Sequence, residues 1–160
     1  KRKDDFDPGQ IPEGNGFQRL EFFLMDSVNM LERYPEFFRF LVEFNVLYAR
    51  DGDPERVRQA FALGNDLLSP IIRDGIADGS IRADFEPDFL VAAIFNQMSA
   101  LDARFALTGS QIGAEYGQPA RELHQAILRI FLNGIQGPVT SPRERIRTIE
   151  SPKKEQMRSG

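Results

Sequence analysis

The side chains that could do acid–base or metal chemistry are few in this sequence. His124 is its single histidine, and Asp66 and Asp102 lie inside otherwise apolar stretches. One histidine cannot build a histidine-based triad or a multi-histidine metal site within one chain. Because no Glu-x-x-His pair is present either, a di-iron carboxylate bundle is disfavoured. We therefore interpret His124 as a residue on a helix surface or at an interface.

The two aspartates leave two interpretations open. Buried carboxylates that lie together can act as acid and base when their pKa values separate. Nothing in the sequence places Asp66 beside Asp102, and each can instead be a surface charge or the partner of an arginine such as Arg73 or Arg104. The chain has no cysteine, which excludes disulfides, thiolate metal sites and a cysteine nucleophile. We predict no catalytic residue, no metal site, no cofactor and no enzymatic activity.

A larger signal comes from phenylalanine and methionine at helical spacing. The chain has 14 Phe and 4 Met but no Trp, and core filling explains any one of these residues. The whole set exceeds what one small bundle needs, and pockets for small molecules are mostly apolar with a few placed polar groups. Asn45, Asn96 and Gln97 could supply such groups. We predict that an apolar ligand contacts Phe23, Met25, Phe37, Leu41, Phe44, Tyr48, Phe61, Phe95, Met98 and Asp102.

Length and charge limit the classes of function. The 160 residues suffice for one domain with a sizeable core, and the net charge is −4. Residues 14–142 hold 11 basic and 17 acidic side chains, so we expect this body not to bind DNA by itself. No apolar run approaches the roughly 20 residues that span a bilayer, and the basic start Lys1-Arg2-Lys3 lacks the apolar part of a signal peptide. We expect a soluble cytoplasmic protein without a membrane partner.

Hydrophobic periodicity divides the chain into three parts. We predict a linker or arm over residues 1–16, a helical ligand-binding and dimerisation domain over 17–137, and a charged tail containing Pro and Ser over 138–160. The predicted helices cover residues 17–33, 35–50, 53–78, 87–107 and 119–135, with a glycine-containing loop over 108–118. Gly64 and Pro70 predict that the third helix is kinked or split. The second helix, apolar on most of its circumference, is predicted to be central.

The connection between the third and fourth helices has a characteristic order of residues: Gly75-Ile76, then Gly79, then Ile81-Arg82-Ala83-Asp84, then Pro87. This order resembles the joint between the middle helices of TetR-family transcriptional regulators. The helix starts Tyr34-Pro35-Glu36 and Asp51-Gly52-Asp53-Pro54-Glu55-Arg56 also resemble that family, and the resemblance covers residues 17–136.

The resemblance implies the C-terminal ligand-binding and dimerisation domain of a TetR-like repressor. It implies an all-α bundle of about five to six helices, an apolar effector pocket among the central helices, and a homodimer through the last two long helices. It also implies DNA binding by an N-terminal helix-turn-helix, a region absent from this chain. A different class of function remains open, namely an all-helical carrier of apolar ligands or a dimerisation module without a DNA-binding role.

The last predicted helix carries two apolar lines. Leu123, Ile127 and Ile130 form one line, and the other contains Leu128 and Leu132. One line can face the domain's own core, so the other implies a second copy of the chain. We predict a dimer interface formed by Ala100, Ala103, Leu128, Phe131, Leu132 and Ile135.

Overall fold

The computed structural model describes residues 11–51 and 53–138. Five helices follow one another in the chain: α1 (Gly16–Arg33), α2 (Pro35–Asp51), α3 (Pro54–Ala77), α4 (Pro87–Tyr116) and α5 (Ala120–Ile135). The predicted all-α class is confirmed. Residues 1–10 of the predicted arm and 139–160 of the predicted tail lie outside the described residues. None of the helices in the described part of the chain has the length and apolar character that crossing a membrane would require.

Helix α1 lies at the centre of the bundle. Leu20, Leu24, Val28 and Leu31 recur at helical spacing and are buried, as their stripe predicts. The helix packs against each of the other four helices. Its first turn is closed by a capping box, in which the Asn15 side chain accepts a hydrogen bond from the backbone of Gln18 and the Gln18 side chain accepts one from the backbone of Asn15.

Helix α2 is peripheral, so its predicted central position is wrong. Phe37 is 52% exposed and Leu47 is 59% exposed, and Phe40 and Val46 are exposed as well. An apolar circumference indicates burial only if neighbours surround the helix. Here α1 and α4 cover one side of α2, and its opposite side keeps large apolar side chains at the surface.

Glycine and proline interrupt the helices less than predicted. Helix α3 continues from Pro54 to Ala77 with Pro70 inside it, so the predicted split does not occur. Helix α4 continues nine residues beyond the predicted end at Leu107, to Tyr116, because buried Ile112 anchors its last turns against the core. It ends at Gly117, whose left-handed φ of 65° makes it the C-cap.

Three segments meet where α1 begins, and we call their meeting place the joint: residues 15–17, residues 75–82 and residues 135–137. Glycine makes the meeting possible, since a Cβ on Gly16 would overlap the backbone of Gly75. A Cβ on Gly75 would in turn lie 2.5 Å from Cδ1 of Ile81. The glycine at position 75, part of the order that resembles TetR regulators, therefore lets α1 and α3 approach at backbone distance.

Hydrogen bonds tie the joint together. The Gly16 N–H donates to Oδ2 of Asp78 at 2.9 Å, and the Phe17 N–H donates to Oγ of Ser80 at 3.0 Å. Ile81 and Gln136 form an isolated antiparallel bridge, in which the Arg82 N–H donates to the Ile135 carbonyl at 3.0 Å. The connection between α3 and α4 thus caps α1 and also holds the chain that leaves α5.

Candidate ligand pocket

An apolar pocket of about 370 Å³ lies between the four helices α1, α2, α3 and α4. This volume falls within the range of small-molecule sites, roughly 300–1,000 Å³. The residues that line it are Phe23, Ser27, Phe37, Phe38, Leu41, Val42, Phe44, Asn45, Gly64, Leu67, Leu68, Phe95, Met98, Ser99, Asp102 and Ala103.

Helical periodicity places the lining residues. On α4, Phe95, Met98, Ser99 and Asp102 are separated by three or four residues, so they share the face that looks toward α2 and α3. On α2, the same spacing runs through Phe38, Leu41, Val42 and Asn45, so that α2 closes the pocket with the side turned toward α4.

Aromatic rings form much of the wall. Phe37 and Phe38 meet edge to face, with ring centroids 5.6 Å apart. On the opposite side, the Phe95 ring lies so close to α3 that a Cβ on Gly64 would overlap it. Gly64, which the sequence marked only as a helix interruption, therefore lets Phe95 pack into the α3 backbone and leaves the adjoining space open.

The polar end of the pocket is formed by Asp102, which contacts His124 of α5. Asp102 Oδ1 lies 3.5 Å from His124 Nε2, and the side chains are 14% and 1% exposed. Both atoms are buried and neither makes a hydrogen bond. The imidazole stacks on the Phe105 ring, with centroids 4.4 Å apart and planes at 14°. His124 is therefore a core residue, and its predicted place on a helix surface or at an interface is wrong.

Burial shifts the protonation of both groups toward their neutral forms. It raises the pKa of Asp102 from 3.8 to about 7, because the carboxylate loses its hydration. It lowers the pKa of His124 from 6.5 to about 4 for the same reason. At neutral pH the imidazole is uncharged, so its contact with Asp102 is not an ion pair. Asp102 is the only titratable side chain among the described lining residues.

Comparison with known proteins finds no match. No family model matches the sequence, and neither does any curated protein or solved structure.

The structure brings most of the predicted ligand residues together. Seven of the ten line the pocket: Phe23, Phe37, Leu41, Phe44, Phe95, Met98 and Asp102. Met25 does not, because it follows Phe23 by two residues on α1 and so points about 200° away, where it packs half-buried against the core. The side chains of Tyr48 and Phe61 lie outside the described residues.

Of the polar groups considered from the sequence whose side chains the structure describes, Asn45 and Asp102 are at the pocket. Asn96 and Gln97 are exposed, and the Asn96 amide donates to the Ala92 carbonyl at 2.8 Å. Asp66 is exposed too, so a carboxylate pair with buried Asp102 is not formed. Within the described residues, no group of three or more metal-ligating side chains could hold a metal ion.

The arginines considered as partners for these aspartates pair elsewhere. Arg73 lies 2.7 Å from Asp88, and Arg104 lies 2.6 Å from Glu115. Both pairs are at the surface. The negative charge that Asp102 carries when ionised is therefore not balanced by either arginine.

The predicted dimer residues are mostly used within the chain. Leu128, Leu132 and Ile135 are buried in the chain's own core, so their assignment to an interface is wrong. Ala103 lines the pocket, Phe131 packs half-buried against the core, and Ala100 is exposed. The outer line of α5 is instead the other one, in which Ile130 is 73% exposed while Leu123 and Ile127 are half-buried.

Sequence reasoning missed several lining residues: Ser27, Phe38, Val42, Gly64, Leu67, Leu68 and Ser99. Helical spacing could have found some of them. Ser99 lies between Phe95 and Asp102 on one face of α4, and Phe38 lies three residues before Leu41. Gly64 carries no side-chain signal, so only the observed contact with Phe95 reveals its role.

Proposed function

We propose that this chain is the effector-binding and dimerisation domain of a TetR-like transcriptional regulator. The observation that carries the proposal is the apolar pocket of about 370 Å³ among α1 to α4. A filled bundle would bury these phenylalanines against one another, whereas here they surround a volume suited to a small molecule.

The regulatory part of the proposal comes from the order of residues between α3 and α4. The joint, where α1, α3 and the chain after α5 meet, contains three residues of this order, Gly75, Gly79 and Ile81. In a regulator, an effector acts only if it binds one of two conformations more tightly than the other. DNA binding would belong to a domain N-terminal to this region, in agreement with the acidic balance of residues 14–142. The proposed location is the cytoplasm.

Binding at the pocket can be tested with N-phenyl-1-naphthylamine, a neutral apolar dye that fluoresces in dry surroundings. We expect the protein to bind it, and the substitution Ala103→Trp to remove binding because the indole occupies the pocket. The matched control is Ala114→Trp, on the exposed part of the same helix. Equal dye binding by both variants would show that the dye does not enter this pocket.

We propose that the homodimer forms through the outer faces of α4 and α5. The outer apolar line of α5, in which Ile130 is 73% exposed, favours a second copy of the chain as partner. Sedimentation should show a dimer for the unmodified chain and a monomer for Ile130→Asp. Ala62→Asp adds the same charge at an exposed position of α3, outside the proposed interface, and should leave the dimer intact. A monomeric unmodified chain would contradict the proposal.

A further inference from the structure

We propose that the pocket selects hydrophobic cations, and that Asp102 receives the positively charged nitrogen of the ligand. This inference rests on the proposed ligand-binding function and specifies its ligand class. The ligand would be a small aromatic or aliphatic amine, apolar over most of its surface with one cationic group at the α4 end of the pocket.

The carboxyl group of Asp102 has unused capacity to accept hydrogen bonds. Asp102 lines the pocket, and its buried Oδ1 lies 3.5 Å from His124 Nε2 without a hydrogen bond. A carboxyl group that lines a pocket and makes no described hydrogen bond keeps the capacity to accept one from a ligand. An ammonium group supplies donors and no acceptor, which matches a carboxylate.

The charges around the pocket favour a cation over an anion. None of the described lining residues is basic. Arg104 of the same helix is exposed and pairs with Glu115, and Arg39 of α2 pairs with Glu36 and donates to the Ala106 carbonyl at 3.3 Å. No described cation therefore neutralises Asp102, and an anionic ligand would meet a like charge without compensation.

The aromatic wall adds to the same preference. Five phenylalanines line the pocket: Phe23, Phe37, Phe38, Phe44 and Phe95. The negative face of an aromatic ring attracts a cation, by about 0.5–1 kcal/mol at exposed sites and more when the cation is desolvated. The rings therefore serve both the apolar body and the charged group of an amine, whereas an alcohol would gain only the apolar contacts.

Burial also makes the protonation state of the Asp102 carboxyl sensitive to a bound cation. Because the pKa of this carboxyl is raised to about 7, a good part of the unliganded protein is protonated there at neutral pH. A cation close to the carboxyl favours its ionised form. The ion pair would form inside the pocket, shielded from water, where charge-assisted hydrogen bonds are strong.

The test uses three probes that share one apolar body: 4-phenylbutylamine, 4-phenylbutanol and 4-phenylbutyrate. Calorimetric titration at pH 7.5 should rank the amine at least tenfold tighter than the alcohol, with the carboxylate weakest. In Asp102→Asn most of the amine's advantage over the alcohol should be lost, leaving only the part that the aromatic wall supplies. Asp66→Asn, which changes an exposed aspartate that does not line the pocket, should keep the ranking of the unmodified protein.

The outcomes separate this inference from the proposed function. If the alcohol binds the unmodified protein as tightly as the amine, the preference for cations is wrong while ligand binding stands. The inference is equally overturned if Asp102→Asn retains most of the preference, because the charge is then recognised elsewhere. If the three probes and N-phenyl-1-naphthylamine all fail to bind, both proposals are wrong. The ranking on the unmodified chain decides the matter even if the variant does not fold.

Discussion

The joint and the pocket both involve α1 and α3, but they differ in how closely these helices pack and in whether their polar groups are paired. At the joint, backbones touch and polar groups are paired, as Asp78 and Ser80 show by accepting the first N–H groups of α1. At the pocket, side chains surround open space and two buried polar atoms, on Asp102 and His124, have no hydrogen bond. A bundle with maximal stability would fill the pocket and pair the polar atoms of Asp102 and His124, as the polar groups of the joint are paired.

The chain departs from a filled core at the pocket and not at the joint. Unpaired polar atoms and unfilled volume each cost stability, so they persist where another demand outweighs that cost. The joint fixes α1, α3 and α5 relative to one another. Helix α2 covers the pocket and keeps apolar side chains such as Phe40 exposed.

The largest effect is expected at the joint, from Gly16→Ala. The new Cβ would overlap the backbone of Gly75, which cannot rotate away as a side chain can. We expect the free energy of unfolding to fall by about 3 kcal/mol, the upper part of the range for overpacking. Urea unfolding followed by circular dichroism measures the change.

Gly109→Ala is the matched control, since nothing lies within 4 Å of the position of its Cβ inside α4. It should raise the free energy of unfolding by roughly 0.5–1 kcal/mol, the helix-propensity difference between glycine and alanine. A Gly16→Ala variant as stable as the unmodified protein would mean that α1 and α3 do not meet at backbone distance.

The second effect concerns pH and the polar end of the pocket. The folded-state pKa of Asp102 is raised, so its contribution to stability is complete below pH 3.8 and is lost as pH rises through about 7. The folded-state pKa of His124 is lowered, so its contribution is complete above pH 6.5 and is lost as pH falls through about 4. Between these limits the two dependences oppose each other and nearly cancel.

Substituting either residue should therefore reveal a pH dependence of the free energy of unfolding that nearly cancels in the unmodified protein. Asp102→Asn leaves His124 alone, and stability should rise with pH between pH 4.5 and 6.5. His124→Gln leaves Asp102 alone, and stability should fall with pH over the same interval. Each slope should approach about 1 kcal/mol per pH unit, measured by urea unfolding at several pH values. If the free energy of unfolding has the same pH dependence in the unmodified protein and in both variants, Asp102 and His124 are not both neutral in the folded state at these pH values.

The contrast between the regions also explains what the sequence could predict. Periodicity predicted the helices, because burial on one helix face, as along the stripe of α1, leaves a repeat of 3.6 residues. The same repeat on α4 and α2 found six of the sixteen described residues that line the pocket. Periodicity alone does not determine which of two apolar lines on a helix faces the core. The prediction therefore assigned the line of α5 that is buried, with Leu128 and Leu132, to the dimer interface. The burial of His124 depends on α1 and α4 lying over it, which the local sequence does not encode.

A third effect tests the cap on α1. Partial burial raises the pKa of Asp78, but hydrogen bonds from Ser80 and the Gly16 N–H outweigh it, and the pKa lies below its ordinary 3.8. Asp78→Ala removes the acceptor for the first turn and should lower the free energy of unfolding by about 1 kcal/mol at pH 7. The difference should shrink below pH 4, since the stability that the ionised Asp78 contributes is lost as pH falls through its folded-state pKa. Asp66→Ala, at an exposed position on α3, is the matched control and should leave the free energy of unfolding at pH 7 nearly unchanged.

The smallest change in stability, and the sharpest contrast with Gly16, is expected from Gly64→Ala. Its Cβ would also overlap a neighbour, but here the neighbour is the Phe95 ring beside open space. The ring can turn into the pocket, so the strain is relieved and the gain in helix propensity offsets the rest, leaving stability within about 0.5 kcal/mol. The displaced ring occupies ligand volume, so N-phenyl-1-naphthylamine should bind several-fold more weakly than it does to Gly109→Ala. A loss of stability as large as that of Gly16→Ala would mean that the space beside Phe95 is filled, and that the two regions do not differ in packing.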